Sequence, residues 1–329
     1  MKAVIYTQYG PADVLHLKEV EKPTPAEDEV LIEVHAASVN AADWRLMRAS
    51  PFLVRLMGGG LLKPKRPILG SDVAGLVVAV GKNVTRFQPG DAVFGDLSGC
   101  GNGGFAEYVC AREDTLALML ATMTFDQAAA VPMAGVAALQ GIRDQGKIEP
   151  GQKAVIQGAS GGIGTFAVQI ARALGAEVTA VCSPRNLEQA RSLGADHVID
   201  YTQADFTRNG QHYDLILAVN GYHPISDYRR ALTPHGNYVM AGGSGRQLFE
   251  ALLLGSWMSR GSGRKLGALT AKPNAADLAY LGALFEAGKV IPVIDRCYPL
   301  EATADAIRYV EAGHAPGKVV ISMEANHAR

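Results

Sequence analysis

Cysteine is scarce: four residues in 329 (Cys100, Cys110, Cys182 and Cys297), with no CxxC pair. A chain of this size with no secretory pattern needs no disulfide framework, so none is expected. An excess of either charge is also missing. The 31 basic residues face 32 acidic ones, a net charge of −1, which removes any electrostatic case for nucleic acid or an anionic membrane surface. No apolar run approaches the ~20 residues of a spanning helix, and the opening MKAVIYTQYG reads as a strand and a turn, not as a leader. The eight histidines show neither HExxH nor paired i,i+4 spacing, and no Ser-His-Asp or Cys-His nucleophile arrangement stands out. These absences leave a soluble, cytoplasmic protein as the default expectation, with no nucleic-acid or membrane partner.

Apolar content of 48% is enough for more than one core, and a single core stops growing near ~250–300 residues, so two domains are expected. Through about residue 125 the chain reads as β-rich. KAVIY, LHLKEV, EVLIEVHAASV, VAGLVVAVG and DAVFGD are short, β-branched and broken by Gly, Pro and Asp. One helix is expected over Ala41–Met47. The glycine-rich stretch 48–67 reads as a mobile loop. From about Thr124 the pattern changes: a helical segment broken near Pro132, then strands alternating with helices, which argues for a parallel sheet with crossover helices. The tail returns to strand, helix, strand. The expected division is 1–125, 126–288 as an inserted α/β domain, and 289–329 completing the first.

The strongest local signal is Gly158-Ala159-Ser160-Gly161-Gly162-Ile163-Gly164. It follows the apolar strand AVIQ and opens the helix TFAVQIARALG. Glycines there permit a tight turn and let the backbone approach a diphosphate, which the helix N-terminus then faces with unpaired N–H groups. The strand before, the helix after and a second strand about twenty residues on form the context this fingerprint demands. An NAD site places an acid at the end of that second strand. Here the strand ends VTAVCSPRN, with no acid until Glu188, and Ser183 and Arg185 hold the turn. A hydroxyl and a guanidinium suit a 2′-phosphate, so NADPH is the expected cofactor. Ser183 as a helix cap and Arg185 as a solvated side chain is the plainer alternative.

Together with the segments AASVNAADWR, ILGSDVAGLVVAVG, FQPGDAVFG, GGFAEYV, SLGADHVIDY and GKVVI, this loop resembles the medium-chain dehydrogenase/reductase superfamily over nearly the whole chain. Within it, VNAADW and SLGADHVIDY look most like the zinc-independent quinone oxidoreductases and alkenal reductases. The resemblance implies an α/β fold: a doubly wound Rossmann sheet inserted in a GroES-like β-rich catalytic domain, with a cleft between them and commonly a homodimer. It implies that Asn40 lies beside the nicotinamide and the substrate carbonyl. Tyr201, Ser183 and Arg185 would lie near the adenosine phosphate, and Gly162 and Ile163 at the diphosphate. Ala241, Gly242 and Gly243 would form the turn past the nicotinamide ribose, with Asn220 ending the strand before it. Asn40 could instead cap the next helix, and Tyr201 could be a half-buried strand end.

Zinc members of that superfamily need a Cys, a His and a further ligand, plus four clustered cysteines. At the matching positions stand Asn40 and Ser71, and near 97–111 only Cys100 and Cys110 occur. No metal site is therefore expected. Without a Lewis acid, simple alcohol oxidation loses its main charge stabilisation. A quinone or α,β-unsaturated carbonyl instead spreads the incoming charge by conjugation. The expected reaction is hydride transfer from NADPH to such an acceptor, with Asn40 polarising its oxygen, and Trp44 and the stretch around Phe52–Leu62 as apolar walls. Trp44 is equally well explained as core packing. The competing readings are a zinc-free alcohol or carbonyl dehydrogenase and a non-catalytic NADPH-binding redox sensor.

Overall fold

The computed structural model describes residues 1–50, 54–55, 60–243, 245–261 and 263–323. Their contacts divide the chain into two compact units. The first comprises Met1–Met133, Pro273–Glu286 and Pro292–Arg329; the second comprises Ala134–Lys272 and Ala287–Ile291. Where the sequence suggested joints at 125/126 and 288/289, contacts assign 126–133 and Pro273–Glu286 to the first unit.

The first unit opens with β1 (Lys2–Ile5) and β2 (His16–Glu19), an antiparallel pair. It continues with β3 (Glu29–Val39), β4 (Asp72–Val80), β5 (Ala92–Asp96), β6 (Tyr108–Arg112) and β7 (Leu116–Leu118). Between β3 and β4 runs helix α1 (Ala41–Arg48), whose first turn is tied by the Asn40 N–H donating to Asp43 Oδ2 at 2.7 Å. It stops where Ala49 adopts a left-handed φ of 50°. Of the stretch 48–67, residues 51–53 and 56–59 lie outside the described residues, Phe52 among them. Helix α2 (Phe125–Ala130) starts on a capping box, with Thr124 Oγ1 accepting from the Gln127 N–H and Gln127 Oε1 from the Thr124 N–H. Pro132 then opens α3 (Pro132–Leu139), a position where its missing N–H costs nothing.

In the second unit β8 (Lys153–Gln157) leads into α4 (Gly162–Ala173), and β9 (Glu177–Cys182), β10 (His197–Asp200), β11 (Tyr213–Ala218), β12 (Leu232–Met240) and β13 (Lys265–Ala268) follow. All six strands are parallel, in the order β10-β9-β8-β11-β12-β13. That is the doubly wound order, with its switch point between β8 and β11. Ala154, Val155 and Ile156 of β8 and Leu215, Ile216 and Leu217 of β11 are buried on both faces of the sheet, as apolar runs in a covered parallel sheet must be. Truncating Ile156 or Ile216 to Ala would cost about 2–5 kcal/mol. Helix α4 closes at Gly175 (φ +85°), whose N–H donates to the Arg172 carbonyl while that of Ala176 donates to the Ala171 carbonyl.

The chain then returns to the first unit with β14 (Ile294–Pro299) and β15 (Lys318–Ser322). Strand β15 lies antiparallel on β3, giving a seven-stranded sheet in the order β14-β15-β3-β4-β5-β7 with β6 also on β3. The fold is thus a GroES-like unit and a parallel-sheet Rossmann unit, as the resemblance implies. Among the described residues no helix is long and apolar enough to cross a membrane.

Candidate functional site

All thirteen expected cofactor residues follow the C-terminal ends of β8 to β12, seven of them after β8 and β11, which flank the switch point. Gly158 opens the turn out of β8 with φ +80°, and a Cβ there would lie 2.8 Å from the Asn220 backbone nitrogen. Asn220 therefore sits against the loop, its Oδ1 accepting from the Gly221 N–H. The N–H groups of Gly158 and Ala159 both donate to the Val181 carbonyl, which pins the loop to β9. Thr165 is the first residue to bond back into α4, donating to the Gly161 carbonyl at 2.9 Å. The N–H groups of Gly162, Ile163 and Gly164 thus precede the helical ladder at the positive end of the helix dipole, beside Ser160.

Three glycines of this loop exist for different reasons. Gly158 serves its left-handed φ. Gly164 serves close approach, because a Cβ there would lie 2.1 Å from the Gly158 carbonyl oxygen. Gly161 serves neither. Its φ of −79° and ψ of 178° suit any residue, and its Cβ would meet only the Gly158 oxygen at 3.7 Å. Nothing in the fold requires a glycine at 161, so its missing side chain leaves a cradle open above the helix start. Backbone N–H donors at a helix start are the chemistry that suits an anionic group such as a diphosphate.

At the end of β9, Ser183 is half-buried and accepts at Oγ from Asn186 Nδ2 at 3.1 Å, while Arg185 is exposed. Tyr201 stands beside them: its N–H donates to the Cys182 carbonyl, and its ring is 62% exposed. Asp200 pairs with Cys182 across the strands, but its Oδ1 is taken by the N–H and hydroxyl of Thr202. Ala241 and Gly242 follow β12 with their N–H groups on the Ala218 carbonyl, and Gly243 turns at φ +126°.

Asn40 and Trp44 belong to the first unit. Trp44 is partly buried on that unit's core, with the Arg45 guanidinium 5.2 Å from its ring. Asn40 is held in a buried polar cluster. Its Nδ2 donates to Asp72 Oδ2 at 2.9 Å and to the Ser38 carbonyl at 3.4 Å; its Oδ1 accepts from Lys318 Nζ at 2.5 Å. Asp72 also accepts from the Ser38 hydroxyl at 2.8 Å, from Lys318 at 3.3 Å and, on Oδ1, from the Met133 N–H. Asp43 accepts two backbone N–H groups, yet full burial pushes its carboxyl up to about 7. Ser38, Asp72 and Lys318 lie within segments that carry the resemblance, but the sequence singled none of them out. A lysine opening an apolar strand was the one available hint.

Asp96, at the end of β5, is pushed up to about 6, first by burial and then by the charge of Asp72. Its folded value lies above the ordinary 3.8, so between about pH 4 and 6 the folded chain holds a proton that the unfolded chain has released. Stability contributed by this group is thus present at pH 4 and lost as pH rises through 6. Asp43 has the same sign up to about pH 7. The Asp96→Asn variant, followed by urea unfolding, should gain on the wild type by on the order of 2 kcal/mol between pH 4 and 7. A parallel pair of pH profiles would refute this.

The zinc of the wider superfamily does not fit these residues. Asn40 and Ser71 stand at the places the resemblance gives to metal ligands. The Ser71 hydroxyl is donated to Asn102 Oδ1 at 3.0 Å, and the only oxygen Asn40 could offer faces the Lys318 ammonium. A fixed cation there repels a second one. Among the described residues no group of three or more His, Cys, Asp or Glu could hold a metal ion. Burial pushes the Cys110 and Cys297 thiols up to about 11 and raises that of Cys182, so none of these three is primed as a nucleophile.

Residues 26–121 match the alcohol dehydrogenase GroES-like domain, and residues 193–321 match the zinc-binding dehydrogenase domain. The chain is 34% identical over 335 residues to the chloroplast envelope quinone oxidoreductase homolog of Arabidopsis thaliana, with 98% of each covered. It is 34% identical over 332 residues to the 2-methylene-furan-3-one reductase of Solanum lycopersicum, covering 98% of this chain and 79% of that one. The solved quinone oxidoreductase of Coxiella burnetii superposes with a TM-score of 0.86 at 30% identity, covering 98% of this chain and 99% of the other. The expectation of a cytoplasmic protein is overturned by relatives with organellar names: the Arabidopsis homolog and those of Triphysaria versicolor and Spinacia oleracea carry chloroplast names, and the NAD(P)H oxidoreductase of Mus musculus a mitochondrial one. Composition and a strand-like N-terminus describe the folded chain and carry no information about the compartment. With its GroES-like and Rossmann units and these relatives, the chain is an oxidoreductase that belongs to the medium-chain dehydrogenase/reductase family, in its quinone oxidoreductase-like group.

Proposed function

We propose that this oxidoreductase uses NADPH to reduce a quinone or an α,β-unsaturated carbonyl without a metal. The observation that carries the cofactor is Gly161, a glycine the fold does not need, at the mouth of a helix start bordered by Ser160, Gly162 and Ile163. When bound, NADPH supplies the hydride. Arg185 offers a charged fork to a 2′-phosphate, with the Ser183 hydroxyl and the exposed Tyr201 ring beside it. No carboxylate ends β9, and that of Asp200 is turned into its own Thr202.

Asn40 meets the acceptor's oxygen. One Nδ2 hydrogen is spent on Asp72. The other has only the 3.4 Å contact to the Ser38 carbonyl, so it can be given to a ligand oxygen that gains charge during reduction. Mixing the protein with NADPH and a panel of quinones and enones should deplete the nicotinamide absorbance. The Asn40→Ala variant should lose about 100-fold in kcat while its NADPH affinity stays unchanged. Absence of turnover with every acceptor would overturn the proposal.

A further inference from the structure

Lys318 is the one buried lysine among the described residues, 2% exposed. Sheet register puts it there. In the antiparallel pair of β15 and β3, Val319 faces Val39, so Lys318 falls opposite Asn40, just past the strand end. In the pair of β3 and β4, Ser38 faces Asp72. Side chains two apart share a face, so Ser38, Asn40, Asp72 and Lys318 converge from three neighbouring strands onto one side of the sheet. The hydrogen bonds then follow from chemistry. An ammonium can only donate and a carboxylate can only accept. The atom of Asn40 that faces Lys318 must therefore be Oδ1, and the atom that faces Asp72 must be Nδ2. Two independent constraints select the same one of two amide orientations.

We propose that Lys318 is a positioning residue of the reduction. Its ammonium, anchored on Asp72, locks the Asn40 amide with its N–H side toward the acceptor, and by drawing electrons toward Oδ1 it makes that N–H a stronger donor. This rests on the reading of Asn40 as the group that meets the acceptor oxygen. In the absence of a metal, the buried ammonium is the cation of the cluster, and it acts on the acceptor through one intervening amide. Substitution of Lys318 should accordingly affect the chemical step and not the hold on the dinucleotide.

The test is a double-mutant cycle between Asn40→Ala and Lys318→Met, measured with NADPH and 1,4-naphthoquinone. Lys318→Met alone should lower kcat by about 10- to 100-fold, with the NADPH dissociation constant unchanged, and Lys318→Arg should recover part of the loss. In the Asn40→Ala background, Lys318→Met should have no further effect on kcat. Removing the lysine strands the buried Asp72 carboxylate, which destabilises the fold. The neutral pair Asp72→Asn with Lys318→Met therefore serves as the folded control, and it should remain as slow as the single variant. Additive losses in the cycle, or wild-type kcat in the neutral pair, would overturn the role of Lys318. An Asn40→Ala variant as fast as wild type would instead overturn the underlying reading of Asn40.

Discussion

A single methyl group on Gly164 should raise the NADPH dissociation constant by about 100-fold and also destabilise the fold by about 1–3 kcal/mol. The Cβ would stand 2.1 Å from the Gly158 oxygen and within 2.8 Å of two Ala159 backbone atoms. All three belong to the backbone, so no side chain can swing aside. The start of α4 must slide away from the turn, which takes the N–H groups of Gly162 and Ile163 off the anion they would face. Gly161→Ala is the informative companion. With its ordinary φ and ψ and a nearest contact of 3.7 Å, it should leave the urea midpoint where it was and weaken NADPH binding alone, because its methyl fills the cradle. Titration of nicotinamide fluorescence beside urea unfolding separates the two effects. If Gly161→Ala binds NADPH as tightly as wild type, the cradle is not where the diphosphate lies.

The contrast between those two glycines shows what a sequence can and cannot carry. The run 158–164 is legible because strand, turn and helix are consecutive, and each leaves a local mark: apolar β8, turn glycines, then a 3.6-residue period ending at Gly175. The same locality made α1, the break at Pro132 and the six parallel strands readable. The cluster around Asn40 is different. Lys318 and Asn40 lie 278 residues apart, and Lys318 and Asp72 lie 246 apart. They meet only because β15 returns to pair with β3. Read locally, a lysine before VVIS is a solvated strand end; only the register makes it buried. Asn40 itself was found through resemblance, and its expected freedom to act as a donor is narrower in the structure, where three of its neighbours already bond its amide. The contacts' assignment of Pro273–Glu286 to the first unit, where the sequence suggested a single joint at 288/289, has a related cause. The helix Ala275–Glu286 is apolar without a marked stripe, so nothing local says against which unit it packs.

Reversing the charge at position 185 should separate the two nicotinamide cofactors. Arg185 is exposed in the short turn after β9, next to Ser183 and one strand away from Tyr201, whose N–H is fixed on the Cys182 carbonyl. A guanidinium there can give charge-assisted hydrogen bonds to a 2′-phosphate, each worth about 1.5–3 kcal/mol. Arg185→Glu removes that attraction and adds repulsion, so NADPH should bind at least about 100-fold more weakly. NADH has no 2′-phosphate to repel. The new carboxylate can accept from its ribose 2′-hydroxyl, as the acid at this strand end does in NAD sites, so NADH binding should hold or improve. Because the site is open to solvent, both the wild-type preference for NADPH and the variant's bias against it should shrink as salt rises, since attraction and repulsion are screened alike. The turn is exposed, and the substitution should leave stability within about 0.5 kcal/mol of wild type, which keeps binding as the quantity being read. Equal losses for the two dinucleotides would mean that Arg185 serves the turn and that the 2′-phosphate is held elsewhere or not at all. Asp200, freed from Thr202, would then be the acid to examine for an NADH site.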